Sequence, residues 1–258
     1  MQLRHRFTLL AALAGSVLFA GLWSGCGKSE TKARIYVVGT EAEFPPFEFK
    51  TDKGELTGFD IDLIKAAAAK AGIEIRFQEM AFDGLIPALQ SGQIDVIASA
   101  LSITDDRKKN VTFSDPYIEA GLSVAVAESN TSIKTSADLV GKSVAVQQGS
   151  TGAEAAEKLK AEGKIGEVRQ FTNVVLCMME LTKGGVDAVI NDRPTSAVYI
   201  SKQPGKIKLL PETLVSDAYG FAFSLKAGEL AAKINKALAE LKADGTYAAI
   251  EQKYFTKE

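Results

Sequence analysis

The chain has 258 residues, with 30 Lys plus Arg against 32 Asp plus Glu and 46% hydrophobic residues. That is enough to bury the core of one or two domains without disulfide or metal staples. His5, Trp23 and Cys26, the only His, the only Trp and one of two Cys, all fall in the first 26 positions; processing of that segment leaves no histidine and one thiol, Cys177, beyond Cys26, which excludes His-based nucleophile schemes, imidazole metal ligands, histidine pH switches and CxxC sites.

Arg4, His5 and Arg6 form a basic head, residues 7–22 are an uncharged apolar run, and Trp23-Ser24-Gly25-Cys26 follows. This is the pattern of a secretory signal peptide over residues 1–25 rather than of a membrane span. Its last four residues resemble the bacterial lipoprotein box, in which small residues precede a cysteine that is lipidated and becomes the mature N-terminus. Trp23 stands where Leu is usual, with Leu22 adjacent, and an ordinary signal peptide with an incidental cysteine is the alternative. Cleavage there removes Arg4 and Arg6 and no acid, moving the formal charge from −2 to about −4, so a nucleic-acid partner is not expected. Residues 26–33 are expected to be the lipid anchor and a small, polar, flexible tether.

From residue 34 strands and helices alternate. A β-branched run at 35–39 ends on Gly39, and a helix over 59–71 places Ile61, Ile64 and Ala68 on one face before Gly72 caps it. A strand at 73–77, a helix near 82–91, a strand at 94–99 and a short helix from Thr104 follow. Then come strands at 122–127 and 143–147, a helix over 151–161, a strand at 168–171, a helix over 174–183, a strand at 188–191 and a helix after Pro194. A strand at 219–224 and helices over 230–243 and 246–254 close the chain. Such alternation predicts parallel α/β sheets. Cys177, Met178 and Met179 read as core or interlobe filler.

Two segments share one pattern. Leu89-Gln90-Ser91-Gly92-Gln93-Ile94-Asp95-Val96 and Leu181-Thr182-Lys183-Gly184-Gly185-Val186-Asp187-Ala188 match at Leu, Gly, an aliphatic, Asp and an aliphatic. Each reads as a helix end, a glycine cap and a buried strand, so the chain is expected to have two lobes on one plan. The first strand runs on to Ser99, Ala100, Ser102 and Arg107, the second to Asn191 and Asp192, and ligands in open α/β sheets sit beyond the carboxyl ends of strands. Arg107 offers a planar fork for a carboxylate and Asp192 acceptors for an ammonium, a match to an α-amino acid zwitterion. Gln148-Gly149-Ser150-Thr151-Gly152 opens a helix and adds free amides for an anion. The plainer readings are a solvated charge for Arg107 in the run 105–109, a helix cap for Asp192 before Pro194, and N-caps for Ser150 and Thr151.

Segments 39–49 (Gly-Thr-Glu-Ala-Glu-Phe-Pro-Pro-Phe-Glu-Phe), 58–63 (Gly-Phe-Asp-Ile-Asp-Leu), 103–109 with 113–117, 147–152 and 185–192 resemble the polar amino acid-binding proteins of bacterial ABC importers, the solute-binding proteins of family 3 of arginine, glutamine or histidine-binding type. The resemblance runs from residue 34 to the end. It implies a two-lobed α/β clamshell, each lobe a mixed, mostly parallel sheet flanked by helices, with lobe 1 over 34–118 plus 220–258, lobe 2 over 119–219, and crossovers near 117–122 and 216–221. It also implies that Arg107 holds the ligand carboxylate with Ser102 and the amide of Thr151, while Asp192 and the Ala100 carbonyl hold the ammonium. The same resemblance implies a monomer, delivery to permease subunits, no cofactor or metal, and an extracytoplasmic protein held to the membrane through the lipid at Cys26, in the periplasm or on the outer face of the cell membrane.

Selectivity falls to the remaining positions. Glu41, where Asp is usual, lies next to Phe44, with Phe82 able to cover the opposite side. Two rings and a carboxylate suit a guanidinium or ammonium, and also a glutamine amide. Gln147 is neutral where a glutamine-selective relative carries a lysine, and Asn191 completes the pocket. A basic amino acid, arginine first, is therefore expected, with glutamine as the alternative. A cyclohexadienyl-type dehydratase on this scaffold would need a general acid from Glu41, Glu43 or Asp192, and a receptor's sensory domain would need a signalling segment; neither is favoured, and no catalytic residue is expected.

Overall fold

The computed structural model describes residues 34–255, so the leader, the tether and Cys26 lie outside the described residues. In chain order the elements are β1 (Ile35–Thr40), β2 (Glu43–Phe44), β3 (Glu48–Lys50), β4 (Leu56–Thr57), α1 (Phe59–Lys70), β5 (Glu74–Glu79), α2 (Leu85–Ser91), β6 (Val96–Ile97), α3 (Asp105–Lys108), β7 (Thr112–Phe113) and β8 (Ile118–Ala127). There follow β9 (Ser143–Gln147), α4 (Thr151–Ala161), β10 (Glu167–Phe171), α5 (Val174–Lys183), β11 (Ala188–Asp192), α6 (Arg193–Lys202), β12 (Ile207–Leu209), β13 (Val215–Tyr219), β14 (Ala222–Phe223), α7 (Gly228–Ala243) and α8 (Thr246–Phe255).

Two larger sheets repeat one topology, β5-β1-β6-β14-β7 in one lobe and β10-β9-β11-β8-β12 in the other, with β13 also on β8 and β2-β3-β4 forming a small third sheet. β1 pairs parallel with β5 and β6, and β9 parallel with β10 and β11, as helical crossovers require. β14 and β8 enter antiparallel to β6 and β11. These two strands arrive from the other lobe, so no βαβ crossover dictates their direction, and the sheets are mixed rather than parallel throughout.

The shared sequence pattern has one structural cause. Gly92 and Gly184 end α2 and α5 with φ of 78° and 76°, a conformation that costs glycine least. Three residues later, Asp95 accepts the Val37 N–H at 2.8 Å and returns its own N–H to the Val37 carbonyl; Asp187 does the same with Ser143, also at 2.8 Å. The aspartate thus locks the next strand, β6 or β11, to the parallel strand beside it, β1 or β9, in both lobes. Lobe 1 packs Leu85, Leu89, Ile94 and Ile97 beneath one sheet face, and lobe 2 packs Leu122, Val124, Val144 and Ile190. A third cluster joins Phe47, Phe59, Tyr219 and Phe221 to Cys177 and Met178 of α5, which makes those two residues buried filler, whereas Met179 is exposed.

Helices α4 and α5 fall where the periodicity predicts them, capped by the Ser150 and Asn173 side chains. The helix expected from residue 82 instead begins as a 3-10 turn at Phe82–Gly84. The strand expected over 219–224 is two strands, β13 and β14, broken at Gly220, where a Cβ would come within 2.9 Å of Ile103. The strand expected over 94–99 is short, since β14 pairs with residues 96 and 97 alone and the chain then leaves the sheet.

Candidate functional site

The repeated lock places equivalent residues opposite each other. Four positions after Val37 and Ser143 come Glu41 and Gln147; five after Asp95 and Asp187 come Ala100 and Asp192. Gln147 Nε2 donates to Glu41 Oε2 at 2.7 Å across the lobes. A narrow cleft lies beside this bond, lined by Phe44, Phe82, Ala100, Ser102 and Arg107 from lobe 1 and by Gln147, Ser150, Thr151 and Asp192 from lobe 2.

Arg107 sits in the one-turn helix α3, whose Thr104 cap accepts the Arg107 N–H. It is 6% exposed, while Lys108 and Lys109 are solvated and paired with Asp105 and Asp106. The reading as a surface charge therefore holds for its neighbours and fails for Arg107. Its guanidinium donates to the Ser102 carbonyl at 3.0 Å and to the Gly149 carbonyl of lobe 2 at 3.1 Å, with the Phe82 ring 5.6 Å from Cζ. Burial pushes its pKa down and the charges of Glu154, Asp192 and Asp217 push it back up; an arginine stays cationic under such a shift. Gly149 has a φ of +73°, and a Cβ there would press to 3.1 Å on Asp83, so this contact needs glycine.

Asp192 occupies the cap position of α6 yet makes no side-chain cap bond; its Oδ1 accepts the buried Tyr219 hydroxyl. Desolvation raises its pKa to about 7, with the Tyr219 bond and the Arg107 charge lowering it and Asp217 raising it. Ser150 does cap α4, whereas Thr151 turns its hydroxyl to within 3.5 Å of Ser102 Oγ. Asn191 is buried but does not line the cleft. Its amide donates to the Asp192 carbonyl and to Ser196 Oγ, fixing the start of α6. Glu41, 5% exposed, does not line the cleft but lies behind its lining residue Gln147, whose amide it accepts; its pKa is raised to about 7 by desolvation first and by Glu43 and Asp83, against the Gln147 bond. Phe44 lies against Phe47 with ring centroids 6.2 Å apart.

A supporting layer lies behind these residues. Asp60 of α1 accepts the Ala100 N–H at 2.7 Å and the Tyr117 hydroxyl at 2.6 Å through Oδ2, holding Ala100 at a φ of +44°. That left-handed conformation costs a non-glycine residue about 1 kcal/mol or more, and Asp60 is what pins it. Ser99 donates to the buried Glu48 at 2.9 Å and accepts the Glu41 N–H at 3.0 Å, so Glu48 steadies Glu41 through one hydroxyl. Desolvation raises Asp60 to about 7 and Glu48 well above the usual carboxylate range. One signal was available: Asp60 heads the buried stripe Leu63, Ile64 and Ala67 of α1, where a carboxylate has no place unless it is bonded.

The cleft therefore presents the Arg107 guanidinium for an anion and the Asp192 carboxylate for a cation, with a second carboxylate, Glu41, behind Gln147. Among the described residues no group of His, Cys, Asp and Glu is arranged to hold a metal ion, and no helix is long and apolar enough to cross a membrane.

Residues 36–257 match the family of bacterial extracellular solute-binding proteins, family 3. A probable histidine-binding protein of Campylobacter jejuni is 37% identical over 218 residues, covering 84% of this chain and 83% of its own. An ancestral arginine-binding protein solved with arginine superposes with a TM-score of 0.83 at 47% identity, over 86% of this chain and 98% of its own. An ancestral arginine-binding protein bound to glutamine gives 0.82, also at 47% identity and over the same shares.

Proposed function

The chain belongs to the bacterial extracellular solute-binding proteins of family 3, and from that premise we propose that it captures a polar L-amino acid, arginine in first place, between its lobes and delivers it to the permease of an ABC transporter. The observation that carries the reading is the placing of Arg107 and Asp192, from different lobes, on one cleft. The guanidinium takes the ligand carboxylate with Ser102 and the amide of Thr151, and Asp192 with the Ala100 carbonyl takes the ammonium. Contacts from both lobes favour the arrangement that makes them together, which is how ligand drives closure. Lobe 1 is residues 34–118 plus 220–258 and lobe 2 residues 119–219.

The side chain of the ligand reaches Glu41 past Phe44 and Phe82. A buried carboxylate bonded to an amide rather than a cation supports a guanidinium or ammonium there. Glutamine is the second reading, favoured by the relative solved with that ligand. Residues 1–25 act as a signal peptide, Cys26 as the lipidated anchor on the outer side of the membrane, and the protein works as a monomeric binding component rather than an enzyme.

Calorimetry with arginine and glutamine, on the wild type and on Glu41→Gln, tests this. Arginine is expected to bind tighter to the wild type and to lose about tenfold or more in the variant, because a charge-assisted hydrogen bond contributes about 1.5–3 kcal/mol. Glutamine binding should change little, since a carboxamide still offers partners. A wild type that prefers glutamine, or a variant that holds arginine unchanged, sinks the arginine assignment.

A further inference from the structure

Asp217 lies on β13 two residues before Tyr219, so strand alternation puts both side chains on one face. Tyr219 carries its hydroxyl to Asp192. The end of β13 is tied to the segment that leads into α3: the Ile103 N–H donates to the Ala218 carbonyl at 2.9 Å, and Ser102 and Tyr219 form an antiparallel bridge. The Asp217 carboxylate is thereby brought beside the Ser102 hydroxyl and within electrostatic reach of Arg107, Asp192 and Tyr219. Both its oxygens are buried and make no hydrogen bond of normal geometry. A buried carboxylate ordinarily recovers its lost hydration through donors or a cation. Here the cation that faces it, Arg107, directs its Nη atoms to the carbonyls of Ser102 and Gly149 instead.

Resting on the amino acid reading above, we propose that Asp217, behind the cleft wall, is a specificity-determining residue, whose only partly compensated charge opposes the anionic end of the ligand at Arg107 and Ser102 and so favours ligands of net positive charge. A ligand carboxylate seated on Arg107 shares that cation with Asp217, and the two like charges repel across a partly desolvated gap. The ligand's positive end, near Asp192 and Glu41, gains from the same field. Neutralising Asp217 therefore tightens a carboxylate-bearing ligand, the opposite of what removal of a supporting residue does.

The experiment compares L-arginine with L-argininamide, the same cation without its carboxylate, by calorimetry on the wild type and on Asp217→Asn. Arginine is expected to bind about three- to tenfold tighter to the variant while argininamide does not tighten, so the ratio of the two affinities shifts by that factor. A purely structural role would move both ligands together and leave the ratio alone. An unchanged ratio, or a ratio shifted against arginine, overturns the proposal. A wild type that binds no amino acid overturns the reading it rests on, and the wild-type arm alone tells the two failures apart. Asp217→Ser supplies the same ratio if Asp217→Asn does not fold.

Discussion

Lobe 1 and lobe 2 deliver residues to the cleft from equivalent strand ends, yet they build their walls differently. In lobe 2, Gln147, Thr151 and Asp192 stand at the end of β9, the start of α4 and the end of β11, positioned by strand ends and a helix N-terminus. In lobe 1, Glu41 and Ala100 are held from behind by Glu48, Ser99, Asp60 and Tyr117, through hydrogen bonds spanning 40 to 58 sequence positions. The repeat supplies symmetric places, and those places are filled differently, Glu41 against Gln147 and Ala100 against Asp192, so that the two walls differ in charge and in what supports them. A two-lobed site thus gains its direction from where the copies differ.

The largest effect is expected from Arg107→Ala, which removes the guanidinium proposed to hold the ligand carboxylate and the direct contact to Gly149 of lobe 2. Removing one partner of a buried charged contact costs about 2–5 kcal/mol, so amino acid affinity measured by calorimetry should fall by about 30-fold to several thousand-fold. Binding close to wild type would return Arg107 to the solvated run around it.

Asp192→Asn tests the lobe 2 side and should cost about ten- to a hundredfold, at the level of a charge-assisted hydrogen bond. A pH profile sharpens the comparison. Burial raises Asp192 to about 7, facing Tyr219, Asp217 and Arg107, and an ammonium pairs with its ionised form. Affinity in the wild type is therefore expected to fall as pH drops through about 7 and to level off above it. In Asp192→Asn that slope should shrink, with a remainder from Glu41, which titrates in the same range. For the free protein the sign reverses: a carboxyl raised from 3.8 to about 7 contributes stability present below 3.8 and lost as pH rises through about 7. Thermal melts without ligand should show that loss, and a slope identical in wild type and variant would remove Asp192 from the account.

The smallest effect belongs to Ala100→Gly. Glycine adopts the +44° φ of residue 100 without the Cβ penalty, so the variant should be more stable by up to about 1 kcal/mol in denaturant titration, with affinity nearly unchanged while Asp60 holds the N–H. A large loss of affinity would show that the methyl group, rather than the carbonyl, is what lobe 1 offers at this place.

The parts of this protein that the sequence determined are those governed by neighbours a few residues apart. Helices α4 and α5 are set by periodicity and by the Ser150 and Asn173 caps, and the two glycine-to-aspartate turns could be aligned because each is a local motif. Asp192 and Thr151 stand out because they sit at a strand end and a helix start, where polar residues interrupt buried runs, whereas Arg107 lies in the charged turn α3 and only its burial separates it from Lys108 and Lys109. Tertiary structure decided what depends on partners far along the chain. Short pairings such as β2-β3-β4 and β12 carry too little alternation to be read, and the antiparallel entry of β8 and β14 follows from strands that change lobes. Asn191 gives its amide to the Asp192 carbonyl and to Ser196 Oγ of α6 rather than to the cleft lining. Asp60, Glu48 and Asp217 gain their roles from burial, and burial of a charged side chain is fixed by which backbone N–H, hydroxyl or guanidinium the folded chain brings to it, something no local pattern encodes.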